Sequence, residues 1–306
     1  SRMTLGDGAA ITTDLIHVTA DRTITTSAIS LETDFSPLVS KQFLDSADGQ
    51  LKIAIEDFHY GADVIAGKLV YECNAAHLVL PEKLADIRGL TATGAAILPP
   101  AHDTKGTFQI EELMVGGSKL QQTRGNIFLE KQGIVLEDVN FELFGGGVVA
   151  RATITIIGAE FLVSLSGEVN NLDLSIFTNE FEPPSVMLTG RVNGTFNTRF
   201  TTQQLRALDV DLTASDDFSM NRDMVEQLLM SQYVNDMTGG RQMTRVLESV
   251  IGEDEQRRFE DARLAVSLED ERIVGYAKLE SEKLNLTIDI KADPPALLEA
   301  LKTRQE

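Results

Sequence analysis

Tryptophan is absent from this chain, and aromatic residues make up only 6% of it. A face that stacks bases or sugars needs aromatic platforms, so a binding surface of that type has little to stand on. One cysteine, Cys73, occurs among 306 residues, which excludes an internal disulfide and a cysteine-based metal cluster. It follows Val70 and Tyr71 in an apolar run and reads as a small core residue, the usual place of a free cysteine. The four histidines, His17, His59, His77 and His102, are dispersed, with no HExxH or other metal-ligand spacing. Basic residues are scarce too: 27 stand against 47 acidic ones, for a net charge of -20. Such a field repels a phosphate backbone and forgoes counterion release, so nucleic acid is excluded as a partner. It also disfavours flat adsorption on an anionic lipid surface, but not the uptake of acyl chains into an apolar interior.

Long apolar runs are lacking as well, with no stretch of about 18 residues that reads as a membrane helix. Ser1-Arg2-Met3 opens the chain without a signal-peptide pattern and leaves an upstream anchor or export signal open. Catalytic motifs are equally sparse. There is no Walker loop, no strand followed by GxGxxG and a helix, and no GxSxG elbow. Glu111-Glu112, Asp209 with Asp211, and Asp216-Asp217 are carboxylate pairs of the kind a glycosidase or calcium site uses. With 47 acidic residues such pairs arise by chance, so no catalytic residue, metal or cofactor is assigned and the chain is read as a non-enzyme. Asn193-Gly194-Thr195 and Asn285-Leu286-Thr287 match the glycosylation acceptor pattern but fall within expected strands.

What is present is alternation with period two, which puts successive side chains on opposite faces of a sheet. From Val186 to Phe200 the even positions are apolar or small and most odd ones polar. Leu208, Val210 and Leu212 repeat the pattern, as do Ala262, Leu264, Val266 and Leu268, and then Leu284, Leu286, Ile288 and Ile290. Earlier instances are Leu51, Ile53 and Ile55, and Val139, Phe141 and Leu143. Turn signals fall between these runs at Asp48-Gly49, Gly116-Gly117, Lys131-Gln132-Gly133, Gly145-Gly146-Gly147, Gly158 and Asn170-Asn171. Short spacings of this kind predict antiparallel hairpins.

Helix is expected mainly in the last third. Ser219 would cap a first helix carrying Met224, Val225, Leu228 and Leu229, and Met243 to Ile251 would form a second amphipathic one. A short terminal helix is expected from Pro294-Pro295, with Leu297, Leu298 and Leu301 on one side. The expected fold is therefore mainly β: a long curled antiparallel sheet, half-open like a groove or taco, with an amphipathic helical insert near 219-251 and a short C-terminal helix. Glu182-Pro183-Pro184 is the best internal boundary, giving an N-terminal β region (1-182) and a C-terminal β region with the helical insert (183-306), or one continuous groove.

Several stretches carry a family resemblance. Gly133 to Gly147 ends a strand in Phe144 and a glycine turn; Gly167 to Leu174 and Leu188 to Gly194 follow; Arg258 to Asp261, Val274 to Ala277 and Leu284 to Thr287 close the chain. These resemble the AsmA-like family (TamB- and YdbH-type bridge-like lipid-transfer proteins). The resemblance implies a β-groove carrying phospholipid acyl chains between membranes. It also implies a periplasmic location, inner-membrane anchoring through an upstream segment, a role in outer-membrane biogenesis, and phospholipid or another acyl-chain lipid and other envelope proteins as partners. The prominent helical insert departs from the family pattern.

On this reading the lipid-binding groove is lined by Val139, Phe141, Leu143, Val186, Leu188, Val192, Phe196, Phe200, Leu208, Val210, Leu212, Leu264, Val266, Leu284, Leu286, Ile288 and Ile290. The same residues would equally line the core of a closed sandwich. A structural or adhesive β-sheet envelope protein without ligand is the alternative, and a β-helix carbohydrate-active enzyme comes third.

Overall fold

The computed structural model describes residues 2-4, 9-13, 16-18, 23-35, 45-61, 64-80, 85-99, 105-115, 118-157, 160-179, 187-201, 204-214, 218-225, 256-282, 284-292 and 294. Its strands run in chain order. The first eight are β1 (Arg2–Thr4), β2 (Ala9–Thr13), β3 (His17–Val18), β4 (Ile24–Asp34), β5 (Ser46–Gly61), β6 (Val64–Val79), β7 (Ala85–Leu98) and β8 (Lys105–Val115). Next come β9 (Ser118–Glu130), β10 (Gly133–Leu143), β11 (Gly146–Ile157), β12 (Glu160–Asp173), helix α1 (Leu174–Asn179), β13 (Leu188–Thr189), β14 (Arg191–Thr201) and β15 (Leu205–Ala214). The last five are β16 (Phe218–Asn221), β17 (Gln256–Phe259), β18 (Asp261–Glu269), β19 (Arg272–Ser281) and β20 (Leu284–Ala292).

Seventeen of these strands form one antiparallel sheet that does not close. Because β2 and β3 share one edge of β4, the sheet has 16 strand positions, running from β1 to β20. Nearly every strand pairs with its successor, as short loops require. The exceptions in this sheet are β2, which pairs with β4, β12, which pairs with β14, and β15, which pairs with β18. The two segments leaving the sheet there meet each other. β13 pairs with β16, and β16 with β17, to make a separate three-stranded sheet.

The meander gives the molecule two unlike ends. At one, the hairpin end, β5–β6, β7–β8, β9–β10, β11–β12, β14–β15 and β18–β19 are joined by short connections. At the other, the capped end, both long insertions emerge. There Phe218, Met220, Val225 and Phe259 pack on Ala262, Leu279 and Leu286 of the main sheet, with Leu188 alongside. Burying these side chains supplies a second layer over that end of β18 to β20.

Several sequence expectations change here. The alternating run from Val186 to Phe200 is not one strand: Gly190, at φ 109°, turns the chain, so Leu188 lies in the small sheet and Val192 onward in the large one. Ser219 is not a helix cap. It sits in β16, where its hydroxyl is 2.6 Å from that of Thr189, and one helical turn follows at 222-225. The rest of the insert expected at 219-251, the C-terminal helix from Pro295 onward and Val186 lie outside the described residues. Asp48-Gly49 and Asn170-Asn171 are not turns but register shifts inside β5 and β12, with Asn171 at φ 57°. The Glu182-Pro183-Pro184 segment also lies outside the described residues; the strands that flank it in the large sheet, β12 and β14, pair directly. Helix α1 was not expected at all. Its signal is Asp173, whose Oδ1 accepts a hydrogen bond from the Ser175 amide at 2.8 Å as a cap does.

Candidate functional site

Antiparallel register decides which side chains share a face, and it assembles the alternating runs into continuous rows. One row passes through Val139, Ala150, Gly167, Phe196, Val210, Val266, Gly275 and Ile290, from β10 to β20. Beside it run Gly194, Leu212, Leu264, Ala277 and Ile288. On the N-terminal side the same face continues through Leu51, Cys73, Ala92, Phe108 and Gly125. Hence Val139, Phe141, Leu143, Val192, Phe196, Phe200, Leu208, Val210, Leu212, Leu264, Val266, Leu284, Leu286, Ile288 and Ile290 share one face of the large sheet. Leu188 does not.

The opposite face is polar and tied by cross-strand pairs. Arg263 Nε donates to Asp211 Oδ1 at 2.9 Å, and Lys68 meets Glu56 at 3.1 Å, Arg151 Glu137 at 3.2 Å and Lys52 Glu32 at 3.5 Å. The Arg263 hydrogen bond holds the Asp211 carboxyl below the usual carboxylate range. These partners are largely exposed, where such pairs contribute little to stability. Their consequence is orientation: one face is fixed as the wet one.

Exposure along the apolar face is uneven, and Ile273, at the hairpin end of β19, is as deeply buried as the residues beneath the small sheet. Leu279 and Leu286, beneath the small sheet, are buried. Moving from the capped end along the same strands, Leu264, Val266, Ala277, Ile288 and Ile290 become partly exposed, as do Phe196, Val210 and Leu212. The small sheet therefore covers only part of the face.

Toward the N-terminal side the face is lined by smaller residues. Ala75, Ala92 and Ala96 are buried beneath larger neighbours, and Phe108, Ile110, Val139 and Ala150 form one cluster with Leu165 and Phe196 against it. Alternation alone passed over this half because alanine and glycine give no hydrophobic beat. Cys73 is part of the lining, packed against two clusters, and burial pushes its thiol pKa up. It is a partly buried packing residue, as its apolar run suggested.

Two other depressions lie on the polar side. One, of about 430 Å³, lies over the Asp138 bulge and is lined by Thr93, Gln109, Arg124 and Asn140, while Asn126 Nδ2 donates to Asp138 Oδ2 at 2.8 Å. The other, of about 310 Å³, lies at the hairpin end between Ile157, Leu162, Arg199, Thr201 and Arg206. Among the described residues no three His, Cys, Asp or Glu side chains are grouped to hold a metal ion, and no helix is long and apolar enough to cross a membrane. No family model, curated protein or solved structure matches the chain.

Proposed function

We propose that the apolar face of the large sheet binds acyl chains, and that the protein carries phospholipid along a half-open β-groove. The observation behind this reading is the continuous apolar row from Val139 to Ile290, buried at Val139 and Ala150 and partly exposed at Phe196, Val210, Val266 and Ile290. An apolar surface of this extent needs a cover. A sheet of 16 positions also exceeds the roughly 10 strands beyond which a twisted open sheet curls. Curling toward the apolar side makes a trough whose walls shield lipid tails while the polar face meets water. Each buried methylene contributes about 0.8 kcal/mol, so a chain of ordinary length is held without any fixed polar contact. A uniform lining then permits sliding, which suits transport between membranes in an envelope compartment, the role that the AsmA-like resemblance implies. No step of this reading requires a cofactor or a catalytic group.

The test is face-selective cross-linking joined to lipid extraction. A photoreactive amino acid at Val210 or Ile288 is expected to capture phospholipid, and one at Thr195 or Asp289, on the opposite face, is not. Purified protein is expected to yield phospholipid on extraction and mass analysis. Absence of lipid together with no capture at either apolar position would refute the groove.

A further inference from the structure

The hairpin end carries a second set of features that acyl-chain binding does not use. Large aliphatic side chains there point into water on both sides of the sheet: Val64 (51% exposed), Ile65, Ile97 (56%), Ile134 and Ile157 (57%), with Phe200 beside them. They come from hairpins in succession, and exposed apolar groups gathered at one rim mark an interaction surface. Into the same rim opens the depression lined by Arg199, Arg206 and Thr201 between Ile157 and Leu162.

Those two arginines stand together in one depression. With 47 acidic residues to 27 basic ones, outer-face cations such as Arg263, Arg151, Lys68 and Lys119 lie against carboxylates. Arg199 donates to the Ser164 hydroxyl at 3.3 Å, and among the described residues neither it nor Arg206 has a carboxylate partner. Their proximity follows from the register: Arg199 pairs with Ala207, Phe200 with Leu205, and the shift between them leaves Arg206 as the extra residue on its strand. Two guanidinium groups with no carboxylate partner among the described residues, flanked by aliphatic side chains, match an amphiphilic surface, phosphate at one level and hydrocarbon just beneath it.

We infer that the hairpin end docks end-on to a phospholipid bilayer, Arg199 and Arg206 holding headgroup phosphates while Ile97, Ile157 and their neighbours enter the apolar layer. The net charge of -20 and the acidic β18–β19 turn, Glu269-Asp270-Glu271, select against a strongly anionic membrane at long range. The surface is therefore zwitterionic, and the contact is short-range.

Flotation of the protein with phosphatidylcholine vesicles tests this, with digalactosyldiacylglycerol vesicles as a bilayer that lacks phosphate. Wild type is expected to float with the first and about fivefold less with the second. Arg199→Ala/Arg206→Ala and Ile97→Ser/Ile157→Ser are each expected to weaken flotation about tenfold, with circular dichroism and thermal midpoint unchanged because all four side chains are exposed. Arg199→Lys/Arg206→Lys is expected to restore part of it. No flotation of wild type, equal binding to the galactolipid, or wild-type binding by the double alanine variant overturns the docking. The rim variants are expected to keep any lipid that co-purifies on the apolar face, so failure of the groove and failure of the docking are separate results. Loss of flotation and of bound lipid together in Ile97→Ser/Ile157→Ser would mean that the face, not the rim, holds the vesicle, and would also overturn it.

Discussion

Tyr71 shows how single residues shape the apolar face. Its register partner is Gly94, and an added Cβ there would lie 2.4 Å from the phenol oxygen; one on Gly106 would lie 2.0 Å from it. The two neighbouring strands carry glycine because the tyrosine ring occupies the space above them. That hydroxyl is buried with no hydrogen-bond partner among the described residues, and burial pushes its pKa up. Removing it with Tyr71→Phe keeps the packing and deletes an unsatisfied group, so stability in chemical denaturation is expected to rise by about 1 kcal/mol. Gly106→Ala is expected to lower it by about 1–3 kcal/mol through overpacking. A fall for Tyr71→Phe would show that the hydroxyl is bonded after all. Asp173 is a second case. The Ser175 hydroxyl and amide bonds hold its carboxyl below the ordinary carboxylate range, so its cap contribution is present above that range and is lost as pH falls through the depressed value. Asp173→Ala is expected to cost about 1 kcal/mol at neutral pH, while Asp173→Asn keeps the cap and flattens the acid limb of an unfolding curve.

Among the elements, the small sheet is the one whose origin is least visible in the sequence. It joins β13 from one insertion to β16 and β17 from another, and nothing local in Leu188-Thr189 announces a partner at Met220. Phe259 anchors it, 1% exposed, with its ring 5.9 Å from that of Phe218. Phe259→Ala is expected to destabilise by about 3–5 kcal/mol and to raise amide exchange in β13, β16 to β20 while leaving β5 to β9 protected. Uniform loss of protection across the large sheet would refute this division. The long strands of the C-terminal half were legible because their alternation is large against polar, as in Leu284 to Ile290. Bulges were not, for a physical reason. Asp57, Gln122, Asp138 and Asn171 take positive φ inside strands, and side chains of this type serve turns as readily as bulges, so Asn170-Asn171 looks like a hairpin when read locally. The face itself could be listed residue by residue, yet its continuity depends on register, which the pairing of distant strands sets.

At the scale of the whole molecule, the decisive question is whether water and lipid reach the face that these rows create. Val210 sits in the middle of the row, between Phe196 and Val266, and is partly exposed. In a closed sandwich, a carboxylate at that position is an unpaired buried charge, and the fold loses several kcal/mol or collapses. In an open trough, water solvates the same carboxylate, so Val210→Asp is expected to fold with a thermal midpoint within a few degrees of wild type. It interrupts the hydrocarbon path, however, and lipid recovered on extraction is expected to fall at least about fivefold, because a chain crossing the site must leave the charge hydrated or strip it. Asp211→Asn, on the outer face beside Arg263, is the matched control and is expected to leave bound lipid unchanged. Unfolding of Val210→Asp alongside an intact Asp211→Asn would place the row inside a closed core. A folded Val210→Asp that retains all its lipid would put the binding surface elsewhere.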